Sequence, residues 1–174
     1  MNEEGVERKM ETERLIFRKY TKNDFDLLFE MTREPNMMKF IRHGGPWTKE
    51  ETMQSLEKFI NWNKDDKGLF LAFNKEDNKL IGTSGLIPQI IEGNDELEVG
   101  YWVIEQYWGM GYGYEQAKAW KEYGMDHLKQ KRLISLIQHG NVGSMKVAQK
   151  NGMKHEKNVD IIGKNVAVYS IEVK

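Results

Sequence analysis

The chain has 174 residues, 39% hydrophobic and 30% charged, with 26 basic and 27 acidic side chains and a net charge of −1. That length suits one domain with a real core, and the composition excludes a membrane protein and argues against a fully disordered chain. The balanced charge gives no electrostatic case for nucleic acid or an anionic membrane as partner. The absence of cysteine excludes disulfides, thiolate zinc sites and a cysteine nucleophile. His43, His127, His139 and His155 have no metal-ligand spacing, so no metal is expected. The first residues are polar, unlike a secretory signal, and the expected location is the cytoplasm.

Residues 1–9 are expected to form a flexible lead-in to a single domain over residues 10–174. "RLIFRKY" alternates, with Leu15 and Phe17 on one face, and predicts a strand. "TKNDFDLLFEMTRE" predicts a helix opened by Thr21 with Asp24 and ended by Pro35. Thr48 and Glu51 form a capping box for a second helix, whose apolar stripe is Met53, Leu56, Phe59 and Ile60. "GLFLAFNKEDNKLIGTSGLIP" reads as a hairpin turning at Glu76, Asp77 and Asn78, and a fourth strand covers Leu97 to Ile104. A helix follows from Tyr114 to Leu128, and "RLISLIQ" is a strand. "NVGSMKVAQKNG" is a short helix between the N-cap Asn141 and a left-handed Gly152, and the tail is a hairpin turning near Gly163. The order βααβββαβαββ implies an α+β (α/β) domain, with a mixed, mostly antiparallel sheet of about seven strands flanked by about four helices.

Between the fourth strand and its helix lies "EQYWGMGYGYEQ", with glycine at positions 109, 111 and 113. A helix N-terminus offers unsatisfied backbone N–H groups and partial positive charge, and glycine keeps the approach to them open. The turn therefore reads as a phosphate cradle. A dinucleotide-binding GxGxxG would need glycine or a late alanine at Tyr114 or Gln116, so a nicotinamide oxidoreductase fails on spacing; no P-loop GK[ST] occurs. A glycine-rich turn with packing duties only is the competing reading.

"ELEVGYWVIEQYWGMGYGYEQAKAW" followed by "RLISLIQHGNVGSMKVAQKNGM" resembles the GNAT superfamily of acyl-CoA-dependent N-acetyltransferases, and within it the ribosomal-protein N-terminal acetyltransferase-like (RimJ/RimL-type) branch. The resemblance runs from "ETERLIFRKY" to the final strand. It implies acetyl-CoA as co-substrate, lying in a V-shaped opening between the fourth and fifth strands. The pyrophosphate would sit on backbone amides of Trp108, Gly109, Met110, Gly111, Tyr112, Gly113 and Tyr114. The pantetheine arm would pair with the strand at Trp102, Val103 and Ile104, with the amide of Val103 or Trp102 facing the thioester oxygen. The side chains of Tyr101 and Trp102 read as strand packing.

The resemblance also gives Asn141 a contact to the pantetheine arm beside its capping role, and makes Ser144 either a plain first-turn residue or a cofactor contact able to protonate the leaving thiolate. Lys150 is placed to reach the cofactor, but a solvated helical lysine is the preferred reading. Attack requires a neutral amine and a base; Glu98 is the expected base, with Glu96 on the same face as fallback and His139 ranked below both. The tyrosine acid of many relatives falls on Ala148, so that acid is missing. Arg42, His43 and Trp47 are the expected acceptor contacts, although Trp47 reads equally as a packing anchor. The implied activity is direct acetyl transfer in a ternary complex to a protein N-terminal α-amine or a small-molecule amine, by a monomer or homodimer. The alternative is a non-catalytic acyl-CoA-binding module.

Overall fold

The computed structural model describes residues 7–173. Among them eight strands form one sheet in the order β1-β2-β3-β4-β5-β6-β8-β7. The strands are β1 (Arg8–Glu11), β2 (Leu15–Arg18), β3 (Gly68–Asn74), β4 (Leu80–Ile91), β5 (Asn94–Val103), β6 (Arg132–Gln138), β7 (Lys154–Ile161) and β8 (Lys164–Glu172). Five α-helices accompany them: α1 (Phe25–Thr32), α2 (Pro35–Met38), α3 (Lys49–Asn63), α4 (Tyr112–Glu122) and α5 (Val142–Lys150). Every neighbouring pair is antiparallel except β5 and β6.

Alternation along the strands divides the interior into two layers. Leu15, Phe17, Phe70, Leu86, Val99 and Leu133 pack with Trp120 of α4 and Ala148 of α5 on one face. Leu69 and Leu71 pack with Leu28, Met31, Leu56 and Phe59 of α1 and α3 on the other. Trp120 anchors the first layer. Its indole N–H donates to Ser84 Oγ at 2.9 Å, and its ring meets Phe17 edge-on at 5.6 Å, so the polar edge is satisfied where the ring is buried. Burying each such large side chain contributes about 1.5–3 kcal/mol.

Both capping boxes form as the spacing predicts. Thr21 and Asp24 exchange hydrogen bonds, as do Thr48 and Glu51. Other expectations need correction. Pro35 does not simply end a helix: α1 stops at Thr32, and Pro35 opens α2, where its missing N–H costs nothing. The loose lead-in was expected to reach residue 9, but Arg8 and Lys9 already belong to β1; residues 1–6 lie outside the described residues. The helix expected to run to Leu128 is α-helical only to Glu122 and continues as a π-turn over Tyr123–His127. There Gly124 lies so near β6 that a Cβ would meet Leu133 Cδ1 at 3.0 Å. No helix among the described residues is long and apolar enough to cross a membrane.

Candidate active site

Strand β5 pairs with β4 at ten positions, but with β6 at one, Glu98 opposite Ile134. Beyond that point the strands part into a wedge. The backbone groups freed at its apex are met by side chains: Ser135 Oγ donates to the Val99 carbonyl at 3.1 Å, and the Leu136 N–H donates to the Glu98 carboxylate. Further out, Ile104 N–H bonds the Ile81 carbonyl at 2.9 Å, so by antiparallel alternation Trp102 also turns its backbone to β4. Val99, Tyr101 and Val103 turn theirs to the wedge, and of the two amides weighed for the thioester oxygen only that of Val103 lies on the wedge side.

The turn after β5 opens α4. Gly109 and Gly111 have φ +75° and +82°, values that L side chains rarely adopt, and a Cβ at Gly109 would meet nothing within 4 Å. Gly111 is the N-cap and supplies no side-chain cap; the first intrahelical bond runs from Glu115 N–H to Gly111 O at 3.1 Å. The amides of Tyr112, Gly113 and Tyr114 precede it and stay available to an anion. Gly113 has a different task, because a Cβ there would lie 2.9 Å from Tyr101 Cε2. The Trp108 amide is already spent on the Glu105 carbonyl (3.0 Å), and its indole donates back to the Val103 carbonyl at 2.7 Å. The cradle therefore begins after Trp108. Met110 turns its carbonyl to Arg14 Nη1 (2.9 Å), and the Tyr112 hydroxyl accepts from Asn74, so neither group points at the cradle.

Glu98 lies on the α1/α3 side of β5, level with Ile87 of β4. The residue is half-buried, and desolvation of its carboxyl pushes the pKa up to about 7, against the opposing hydrogen bonds from Gln89 (2.7 Å) and the Leu136 amide. Glu96 shares that face but is locked to Arg132 by a bidentate pair at 3.0 Å. His139 lies elsewhere, beside His155 in a pocket of about 270 Å³ on the α5 side of β6. On the opposite face of β5, the Tyr101 hydroxyl donates to Ser144 Oγ at 3.2 Å, and burial raises its pKa. Asn141 Oδ1 accepts the Ser144 amide at 3.3 Å, fixing the start of α5 at this pair. Ala148 is buried in the core. Lys150 is not merely solvated: its ammonium lies 4.0 Å over the Tyr114 ring and ties α5 to α4.

The segment from Lys39 to Trp47 reaches both lips of the wedge. Trp47 meets the Trp102 ring edge-on at 5.5 Å, and the Arg42 carbonyl accepts from Gln138 Nε2 at 3.1 Å. His43 pairs with Glu51 at 3.2 Å. Trp102 and Ile104 project among the α1/α3 residues rather than into the wedge. A larger open groove, about 810 Å³, runs between β1 and α4 and shares only Gly111 and Tyr114 with the turn.

The sequence reading missed three contributors. Tyr101 was detectable, since alternation places it opposite Glu98, but its partner Ser144 lies 43 residues away. Arg14 braces the glycine turn through Met110 and Glu115 (2.6 Å), and Gln89 holds Glu98. These contacts left no local signal.

The family profile described as "Acetyltransferase (GNAT) domain" matches residues 14–154. The chain is 31% identical over 146 residues to the uncharacterized N-acetyltransferase YnaD of Bacillus subtilis, covering 83% of this chain and 82% of that one. Its structure resembles an acetyltransferase (GNAT family) from Bacillus anthracis with a TM-score of 0.78 at 26% identity, over 94% of this chain and 97% of that one. The fold also matches RimL, a ribosomal L7/L12 alpha-N-protein acetyltransferase in complex with coenzyme A, with a TM-score of 0.78 at 18% identity, over 96% and 98% of the two chains.

Proposed function

The chain belongs to the GNAT acetyltransferase family, and on that premise we propose that it moves the acetyl group of acetyl-CoA directly onto a primary amine, with Glu98 as the base. The residues present fit the co-substrate. Uncapped amides at the start of α4 suit a diphosphate, and the unpaired edge of β5 suits an amide-rich arm laid along it. The fold of RimL, a neighbour with coenzyme A in its structure, supports this fit. The chain has no cysteine to carry the acyl group, which favours direct attack within a ternary complex.

The observation that carries the reading is the placing of Glu98: a half-buried carboxylate at the wedge apex, held by Gln89, whose pKa burial pushes up to about 7. A base poised there takes a proton from an amine most effectively at neutral pH. The Val103 amide stands on the wedge side, where it can face negative charge developing on the carbonyl oxygen. Tyr101 supplies a phenol that Ala148 does not. Through Ser144 it delivers a proton to the departing sulfur on the α4/α5 side, while Glu98 works on the α1/α3 side. Arg42 faces the acceptor, Trp47 is the buried packing anchor beneath it, and His43 is engaged by Glu51.

The test is thiol release from acetyl-CoA over a panel of primary amines, with products identified by mass spectrometry. Amine-dependent release with an acetylated product is expected. Saturable coenzyme A binding with no acetylated product across the panel would instead identify a binding module.

A further inference from the structure

The segment between α2 and α3 holds a guanidinium, that of Arg42, with no carboxylate in ion-pair contact among the described residues. Arg42 adopts a left-handed backbone, φ +48°, and is exposed. Its guanidinium lies 4.2 Å over the Trp47 ring and donates once, from Nη1 to Ser55 Oγ at 3.0 Å. Among the described residues no carboxylate pairs with it. Glu51, which acts on its charge from a distance, already accepts the Thr48 amide at 2.7 Å and pairs with His43. Lys58, one turn beyond Ser55 on α3, has no carboxylate partner among the described residues either. Burial and the Arg42 charge hold its pKa below the usual lysine value, so the two cations repel each other. Trp47 is 3% exposed, and its indole N–H has no acceptor, a rare condition for a buried donor.

Two of these residues, Arg42 and Trp47, border the wedge. Trp47 touches Trp102 on one lip, and the Arg42 carbonyl is held by Gln138 on the other. Lys164 adds a further cation nearby, 3.5 Å from where a Cβ on Gly44 would lie. A guanidinium with free N–H groups in a planar fork matches a carboxylate bidentately.

We propose that Arg42, supported by Lys58, binds a carboxylate carried by the acceptor, so that the substrate is an acidic amine and not a polyamine or a neutral amine. This rests on the acetyl-transfer reading above and narrows it. The amine faces Glu98 and the wedge while the carboxylate docks on the Arg42 fork. The reaction itself is unchanged: a C–N bond forms, the C–S bond breaks, the amine proton goes to Glu98 and the thiolate takes one from the Tyr101–Ser144 pair.

The experiment compares ω-amino acids from glycine to 6-aminohexanoate with their primary amides, and glutamyl with glutaminyl dipeptide amides, by thiol release. Binding of an N-acetyl ω-amino acid and of its amide is measured separately by calorimetry, which needs no turnover. The wild type is expected to favour acid over amide by roughly tenfold or more in kcat/KM, as a charge-assisted bidentate contact allows. Arg42→Ala should collapse that ratio toward one, and Arg42→Lys should fall between; melting curves verify that each variant folds. The optimum chain length reads the spacing between the two subsites. Preference among free acids alone assigns the carboxylate to a small amino acid, and preference among the dipeptides alone to an acidic peptide N-terminus. Equal rates for acid and amide in the wild type, or a ratio that survives Arg42→Ala, overturn the proposal. Failure of every amine to release thiol, with Arg42-dependent binding of the acid intact, sinks the transfer reading and spares the carboxylate site.

Discussion

On one face of β5, Glu98 and Trp102 look toward α1, α3 and the cationic segment around Arg42. On the other face, one residue out of phase, Val99, Tyr101 and Val103 look toward α4, α5 and the glycine turn. One face holds a half-buried carboxylate whose pKa burial pushes up to about 7; the other holds hydroxyls and uncapped helix amides. On the proposed mechanism, period-two alternation separates the group that would receive a proton from the groups that would hold the donor and return a proton. A reaction that joins an amine from one side to an acyl group delivered from the other gains from such a divide, because the acid and base do not neutralise each other.

The largest expected effect breaks the acceptor side. Glu98→Gln should lower kcat/KM by about 10²–10⁴, the usual worth of a positioned base, while calorimetry shows coenzyme A binding near the wild-type affinity. An unimpaired variant would remove Glu98 from the role. Next comes the donor side. Gly111→Ala places a side chain at φ +82° and 3.4 Å from Arg14 Nη2, so coenzyme A affinity should fall about tenfold or more, with roughly 1 kcal/mol of stability lost to backbone strain. Thr48→Ala is the control at a capped helix: about 1 kcal/mol of stability lost, read from denaturant midpoints, with coenzyme A affinity unchanged.

A smaller effect tests the hydroxyl pair. Tyr101→Phe should lower kcat about tenfold and barely move the melting temperature, since the phenol donates only to Ser144. Ser144→Ala should do the same, and the double variant should lose little more than either alone, as expected for groups that act as one relay. Full additivity would show that they act separately. The last effect concerns stability and not turnover. The Glu98 pKa is higher in the fold than in the unfolded chain, so its contribution is present below about pH 4.5 and is lost as pH rises through about 7. Glu98→Gln should therefore gain stability relative to wild type between pH 5 and pH 8, by an amount on the order of 1–3 kcal/mol.

What could be read in the sequence was local. Thr21–Asp24, Thr48–Glu51, Asn141 and the left-handed Gly152 all declare helix ends within four residues, and each takes the expected place. The turn at 109–113 also declares itself, although Gly113 serves the Tyr101 ring instead of an open approach. β1 escaped notice because "RKME" has no alternation, and only its pairing with β2 makes it a strand. The wedge was known from family resemblance alone, since no residue pattern announces that two strands will meet at one position and part. The two sides of the site come from contacts that span many residues, such as Arg14 with Glu115 and Gln138 with Arg42, and no window of sequence contains both members.

The pH dependence of kcat/KM bears most directly on the division of labour across β5. For an acceptor whose own amine pKa is known, the wild type should show an ascending limb with an apparent pKa near 7 that belongs to the enzyme, and Glu98→Gln should lack it. The same limb in both proteins, once the amine's own ionisation is removed, would contradict the assignment of the proton to the α1/α3 face.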